Sequence, residues 1–159
     1  MSFTIREANS NDYIGVNALV KEVHELHVKN RPDVYVKVDT PLLIQQFNEL
    51  MEDVNIKLFV VQDNENSNLA AYAIVKIINT QSLHIVVPQR FAYIDDFCVK
   101  SNYKGKGLGK LLFQHLSNYA KEAGASSLQL AVWEFNKDAI EFYEKMGMST
   151  RNRRMELSL

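Results

Sequence analysis

The chain has 159 residues, 47% of them hydrophobic and 23% charged, with 18 Lys and Arg against 19 Asp and Glu for a net charge of −1. That length suits one domain with one core; the charge balance excludes the basic footprint of a nucleic-acid binder, and the longest apolar run, Leu69–Val75, is too short to span a membrane. A single cysteine, Cys98, excludes an intramolecular disulfide, and no apolar signal region follows the N-terminus, so a soluble protein of the reducing cytoplasm is expected.

Residues 3–8 read as a strand. A helix follows, with Asn9 or Ser10 as N-cap and Val16, Leu19, Val20, Val23 and Leu26 as its apolar stripe. Thr40-Pro41 predicts the start of a second helix, because threonine can cap and proline has no N–H to leave unpaired at the first helical position. Leu43, Phe47 and Leu50 give that helix its buried face. Strands over 56–62 and 69–78 flank the polar segment 63–68, which predicts a hairpin. Residues 91–99 read as a further strand.

A glycine-rich turn then leads into a helix over 107–123, with Leu108, Leu111, Leu112, Leu116, Tyr119 and Ala120 at helical spacing and Gly124 at its end. A strand over 127–133, a helix over 137–146 closed by Gly147, and a final strand near 153–158 complete the chain. This order predicts one α+β domain over 1–159. Its sheet is mixed and mostly antiparallel, flanked by helices, and only the helix over 107–123 crosses between neighbouring strands.

The most informative segment is Tyr103-Lys104-Gly105-Lys106-Gly107-Leu108-Gly109-Lys110. Glycines at alternate positions let backbone N–H groups approach one point closely, and the helix N-terminus and three lysines add positive charge. Such a segment suits phosphate oxygens. A P-loop would need glycine where Lys104 stands and Ser or Thr where Leu111 stands, and a dinucleotide fingerprint would need glycine at Lys110. Neither pattern is met. A tight turn with solvated lysines is the plain alternative.

Following Ile94-Asp95-Asp96-Phe97-Cys98-Val99, this loop resembles the acetyl-CoA pyrophosphate loop of the GNAT superfamily of N-acetyltransferases. A second resemblance lies in Asn136-Lys137-Asp138-Ala139-Ile140-Glu141-Phe142-Tyr143-Glu144-Lys145-Met146-Gly147, an Asn before a Phe-Tyr helix ending near Gly. The order of elements matches from residue 3 to 158. Lys104 departs from the family's usual Gln or Arg, keeping the charge and losing arginine's planar fork.

The resemblance implies a fold in which the strand over 91–99 bulges near Phe97 and Cys98 and splays from the next strand to form the acetyl-CoA cleft. It implies cofactor contacts from Phe97, Cys98 and Val99, from Lys104, Gly105, Lys106, Gly107, Leu108, Gly109 and Lys110, and from Asn136, Ala139 and Phe142. An N–H at Phe97, Cys98 or Val99 would polarise the thioester carbonyl. Tyr143 matches the family's general acid: a phenol with an ordinary pKa near 10 is protonated at neutral pH. Core packing is the alternative for it.

Aspartate is disfavoured in strands, so Asp95 and Asp96 stand out. Asp95 resembles the acidic residue, usually glutamate, that serves as base or amine-binder in polyamine-acetylating members; Asp96 then holds the bulge or meets substrate. Glu134 is the alternative carboxylate. Cys98 has no histidine near in sequence and reads as a buried apolar residue rather than a nucleophile. His24 and His27 lie three apart, without a third ligand or a His-Glu-x-x-His pattern, so no metal is expected and His27 is a candidate pocket residue. Arg31 and Asp33 lie in the loop where family members build the acceptor side.

These features imply an acetyltransferase acting on a small-molecule amine, a cationic amine or polyamine being favoured over a protein amine or an antibiotic amine. A CoA-binding regulatory module without transfer activity is the second class. No nucleic-acid or membrane partner is expected, and the resemblance makes a homodimer the natural assembly.

Overall fold

The unbroken apolar stretch from Leu69 to Val75 lies in the middle of the molecule, buried on both faces, as its lack of alternation requires. A computed structural model describes residues 2–159. Its strands are β1 (Phe3–Glu7), β2 (Ile56–Asp63), β3 (Leu69–Asn79), β4 (Arg90–Val99) and β5 (Leu128–Leu130). Its helices are α1 (Tyr13–Asn30), α2 (Ile44–Glu52), α3 (Leu108–Glu122) and α4 (Lys137–Lys145). The sheet has the order β1-β2-β3-β4-β5, with the β4–β5 pair parallel and the others antiparallel. Helix α3 makes the crossover between the parallel pair.

Two cores sandwich the sheet. Val61, Ala73, Val75 and Ile94 face Leu112 and Leu116 of α3. On the other side Val60, Tyr72 and Ile74 face Val16 and Leu19 of α1 and Phe47 of α2. Period-2 alternation along β2 and β3 serves both cores at once.

Three expectations are corrected. Helix α2 begins at Ile44 rather than at Thr40-Pro41, and Leu43 is exposed. The cause is Leu42: it is buried, its N–H donates to Asn17 and its carbonyl accepts from Tyr13, so side chains of α1 occupy both of its backbone groups. Leu26 and Leu111 are exposed, while Phe113 enters the core. Residues 153–158 form no strand, although their alternation is that of one, because none of the strands among the described residues pairs with them.

The sheet is tied to α1 by Arg6, whose Nη1 and Nη2 donate to the buried Asp12 carboxylate at 2.7 and 2.9 Å. The Asn9 N–H donates to the same carboxylate at 2.7 Å. Burial pushes the Asp12 carboxyl up, but the Arg6 hydrogen bond, the Asn9 N–H and the Arg6 charge together hold it below the ordinary value. Asp12→Ala is expected to cost about 2 kcal/mol in urea unfolding at neutral pH, because the Asn9 N–H loses its acceptor and Arg6, still hydrogen-bonded to Gln62 and the Glu7 carbonyl, loses its carboxylate. Because folding depresses this pKa, the stabilisation is present above the ordinary carboxylate value and is lost as pH falls through the lowered one. The difference between parent and variant should therefore shrink in acid.

Candidate active site

Strand β4 gains one residue relative to β3: Ile94 pairs with Val75 and Asp96 with Ile74, so Asp95 is extra. The bulge thus falls at Asp95 and not near Phe97 and Cys98. Its consequence is a change of parity. Ala92 and Ile94 face the α3 side, whereas beyond the bulge Phe97 and Val99 take that face, and Cys98 packs on the α1 side. Pairing with β5 stops at the same place, since Ala92, Tyr93 and Ile94 are the β4 residues opposite Leu128–Leu130. From Asp95 to Val99 the β4 edge is open, and this is the splay.

Which N–H groups point into it follows from alternation. The Lys100 N–H reaches the Ala70 carbonyl of β3, so the Cys98 N–H turns the same way, and those of Phe97 and Val99 turn toward the opening. The Phe97 N–H donates to the Asp96 carboxylate at 3.1 Å. Cys98 therefore contributes no N–H to the cleft, and its side chain is buried. Burial, then the charges of Glu22 and Asp96, against Lys104, push its thiol up to about 12. It is held as a thiol, not a thiolate nucleophile.

At the end of β4 lies the glycine loop. Gly105 and Gly107 have φ of 79° and 78°, the left-handed region that favours glycine, and a Cβ at either would meet nothing within 4 Å. Gly107 is the N-cap of α3, so the loop presents an open cradle at a helix N-terminus. Gly109 is glycine for another reason: a Cβ there would lie 3.1 Å from the Phe142 ring and 3.6 Å from Val99. Lys104 and Lys110 are exposed, and the Lys106 ammonium lies 5.2 Å from the centre of the Tyr103 ring. The Leu108 side chain enters the core and leaves only its backbone to a ligand. The cradle's shape and charge suit a pyrophosphate.

Helix α4 begins at Asn136, whose side chain accepts from the Ala139 N–H at 3.3 Å. It carries Phe142 and Tyr143 against Phe97 and Phe113, with the Tyr143 and Phe97 ring centres 6.1 Å apart. The Tyr143 hydroxyl makes no hydrogen bond among the described residues. Burial first, then the nearby charges of Asp96 and Cys98, raise its pKa well above the ordinary phenol value.

The two aspartates differ sharply. Asp95 is exposed and pairs with Lys76 at 3.2 Å. Asp96 turns inward and accepts a hydrogen bond from the wholly buried Tyr72 hydroxyl. Burial raises the Asp96 pKa against the hydrogen bonds from Tyr72 and the Phe97 N–H; Asp95 adds to the rise and His27 opposes it. Tyr72 was not expected in the site. The signal was its hydroxyl inside an apolar strand, which needs a buried partner on a neighbouring strand.

His27 lies beside this group at the C-terminal end of α1. Its Nδ1 donates to the Val23 carbonyl at 2.8 Å, and its ring packs on Tyr35 and Phe135. His24 contacts a different carbonyl, that of Val36, so the two histidines share no ligand. Trp133 donates to the Tyr35 hydroxyl at 2.9 Å, stacks on Phe135, and carries the Arg31 guanidinium 4.6 Å above its ring. Arg31 is bound by Asp33 and Glu156. Glu134 points to solvent near Lys137. The structure thus gathers Tyr143, Asp96, Phe97, Cys98 and His27, while Asp95, Asp33 and Glu134 lie outward. Tyr35, Trp133 and Phe135 had not been expected there; they form an aromatic wall assembled from segments far apart in sequence.

Among the described residues no helix is long and apolar enough to cross a membrane. Three comparisons place the chain among known proteins. The sequence model of the Acetyltransferase (GNAT) family matches residues 20–148. The uncharacterized N-acetyltransferase YdgE of Bacillus subtilis is 40% identical over 72 residues, 45% of this chain and 46% of that protein. The thialysine N-epsilon-acetyltransferase of Bos taurus is 36% identical over 58 residues, 36% of this chain and 34% of that protein. The matched stretch thus spans less than half the length of either curated relative. A mutant of the BH1408 protein of Bacillus halodurans superposes with a TM-score of 0.95 at 31% identity, covering 98% of this chain and 99% of that one. With the family matched over most of its length, and a splayed sheet and glycine cradle to accord with it, this chain belongs to the GNAT family of acetyltransferases.

Proposed function

We propose that this protein is an N-acetyltransferase that moves the acetyl group of acetyl-CoA onto a primary amine by direct attack, that the acceptor is a small cationic amine, and that it works as a homodimer. One observation carries the reading. The β4 edge opens at Asp95, with the glycine cradle at one end of the opening and Asp96, His27 and Tyr143 beside it. Acetyl-CoA supplies an activated thioester and a sulfur leaving group. Gly105, Lys106, Gly107 and Lys110, with Lys104, would hold the pyrophosphate; the Phe97 and Val99 N–H groups would meet the pantetheine arm and the carbonyl. Asn136, Ala139 and Phe142 would border the cofactor from α4.

An alkylammonium must lose a proton before it can attack. We assign that proton to Asp96, directly or through a water, in place of the expected Asp95, whose ion pair with Lys76 holds it at the surface. Tyr143 holds a proton for the departing sulfur. The Asp96 carboxylate and the aromatic side chains of Tyr35 and Phe135 favour a cationic acceptor. The thialysine relative acts, by its name, on such an amine. A protein lysine, an N-terminus and an antibiotic amine are the competing acceptors. The lone buried thiol accords with a reducing, cytoplasmic setting.

The deciding assay is release of free thiol from acetyl-CoA with a panel of amines. Turnover on a polyamine or diamine above that on peptides supports the reading. Binding of CoA with no turnover on any amine replaces it with a non-catalytic CoA-binding module. CoA itself should raise the melting temperature, by about 2.7 kcal/mol of added stability at a hundredfold excess over its Kd. Gly107→Glu should abolish that shift, because its side chain places a carboxylate beside the phosphates. The comparison is the variant with and without CoA, since the φ of 78° also strains any side chain there. A full CoA shift in Gly107→Glu removes the cradle assignment.

A further inference from the structure

The bulge at Asp95 does more than open the β4 edge. Ala92 and Ile94 face α3, so without the extra residue Asp96 would follow them to that side. With it, Asp96 falls on the α1 face, the face that carries Cys98. Register then makes Tyr72 its diagonal neighbour, since Tyr72 stands opposite Cys98 and Asp96 opposite Ile74. The tyrosine ring bridges that diagonal, and its hydroxyl donates to Oδ2 of Asp96.

This face is otherwise apolar, with Val16, Leu19, Val60 and Ile74 around the pair. A carboxylate set among them is costly unless a donor meets it, and Tyr72, wholly buried, brings that donor. The two carboxylate oxygens then differ. Oδ2 takes the Tyr72 O–H from the core side, while Oδ1 takes the Phe97 N–H at 3.1 Å, on the side of the opening. Asp96 is only half-buried, so Oδ1 is the oxygen that an ammonium or a water reaches. Other ionisable groups face it as well: Asp95 disfavours its charge, His27 of α1 favours it, and Cys98 and Tyr143 of α4 lie near as thiol and phenol. Burial raises the carboxyl pKa, and the Tyr72 hydrogen bond is the largest effect opposing that rise.

We propose that Tyr72 is a positioning residue for the deprotonation step: by fixing Oδ2 from the core side it aims Oδ1 into the cleft and holds the group as a carboxylate until the acceptor's proton arrives. In that step an N–H bond of the ammonium breaks and an O–H bond forms at Oδ1, directly or through a water. The electron pair left on nitrogen is then free to attack the thioester. The inference rests on the proposed role of Asp96 and adds a residue that touches neither acceptor nor cofactor. Packing alone does not call for the hydroxyl, because a phenylalanine ring would fill the same space in the core.

The test is kcat/KM against pH, with acetyl-CoA and the best amine of the panel, for the parent, Tyr72→Phe, Asp96→Asn and the double variant. An NMR titration of the Asp96 carboxyl carbon accompanies it in the parent and in Tyr72→Phe. Losing the O–H donor removes support from the charged form, so Tyr72→Phe should move both the acidic limb and the carboxyl titration up by about one pH unit. On the limb the rate should fall about tenfold, and on the plateau far less. In the Asp96→Asn background, Tyr72→Phe should change the residual rate less than about twofold, since the group it acts through is gone. A limb that Asp96→Asn abolishes and Tyr72→Phe leaves unmoved overturns Tyr72 alone. A limb that stays while the carboxyl titration moves belongs to another group, such as His27, and overturns the part of Tyr72 in the reaction. Full activity of Asp96→Asn overturns the base itself. Should Tyr72→Phe fold too poorly to assay, the Tyr72 hydroxyl proton of the parent decides: its resonance should shift with the midpoint of the acidic limb, and a different midpoint overturns the inference.

Discussion

Asp96→Asn is expected to lower kcat/KM for the best amine about 10²–10⁴-fold at neutral pH, the range for loss of a positioned general base. The substitution is nearly isosteric. Its carbonyl can still accept the Phe97 N–H, and its amide can donate to the Tyr72 oxygen, so both partners keep a hydrogen bond to residue 96, although the Tyr72 O–H loses its carboxylate acceptor. At high pH, where more acceptor amine is already free, the defect should narrow. Stability should move the other way. Burial raises the Asp96 pKa, so folding favours the protonated carboxyl, and the stability this group contributes is lost as pH rises from the ordinary carboxylate value through the raised one. The variant should therefore melt no lower than the parent at neutral pH, with any advantage vanishing in acid. Asp95→Asn, which breaks an exposed pair with Lys76, should change stability by less than about 1 kcal/mol and turnover far less than Asp96→Asn. Comparable losses for both variants across the whole pH range would assign the aspartates to amine binding. Full activity of Asp96→Asn would leave deprotonation to solvent.

Why the sequence suggested Asp95 and the structure favours Asp96 is a matter of register. A run such as Ile94-Asp95-Asp96-Phe97 states that something interrupts the strand, and the interruption was legible as aspartate in an apolar ladder. Which residue is extra is decided by the opposing strand, where Ile74 and Val75 take consecutive partners two residues apart. That information is not local. The same limit explains the aromatic wall: Tyr35, Trp133 and Phe135 meet only because α1, the loop after it and the segment after β5 converge. Tyr72 differs, since its hydroxyl in the Leu69–Val75 run was a local signal of a hidden polar partner.

The glycine loop was legible because it is local. Positive φ at Gly105 and Gly107 is demanded within the loop itself. Gly109 belonged to the same pattern, yet its reason lies at Phe142 and Val99, two elements away. The strand pattern at 153–158 was equally visible, and the structure forms no strand there. A strand also needs a partner edge, which the pattern does not name. The helix signal at Thr40-Pro41 lost to tertiary hydrogen bonds on Leu42, whose groups bind α1 before a helix can use them.

Tyr143→Phe should lower kcat about 10²–10⁴-fold while CoA stabilises parent and variant equally. The ring stays, and with it the packing against Phe97, Phe113 and Phe142. Only the hydroxyl goes, and since it bonds no described residue its loss strands no protein group. Little change in melting temperature is therefore expected, which separates proton donation from packing. The raised pKa fixes the expected pH behaviour. Burial and the charges of Asp96 and Cys98 keep the phenol protonated beyond the ordinary tyrosine value near 10, so its ionisation should not limit activity at neutral or mildly alkaline pH. A basic limb that begins below that value belongs to another group. The measurements are single-turnover thiol release, the CoA thermal shift and kcat against pH for parent and variant. A fall of less than about threefold, well short of the usual range for a general acid, would make Tyr143 a packing residue and leave the sulfur to be protonated by water.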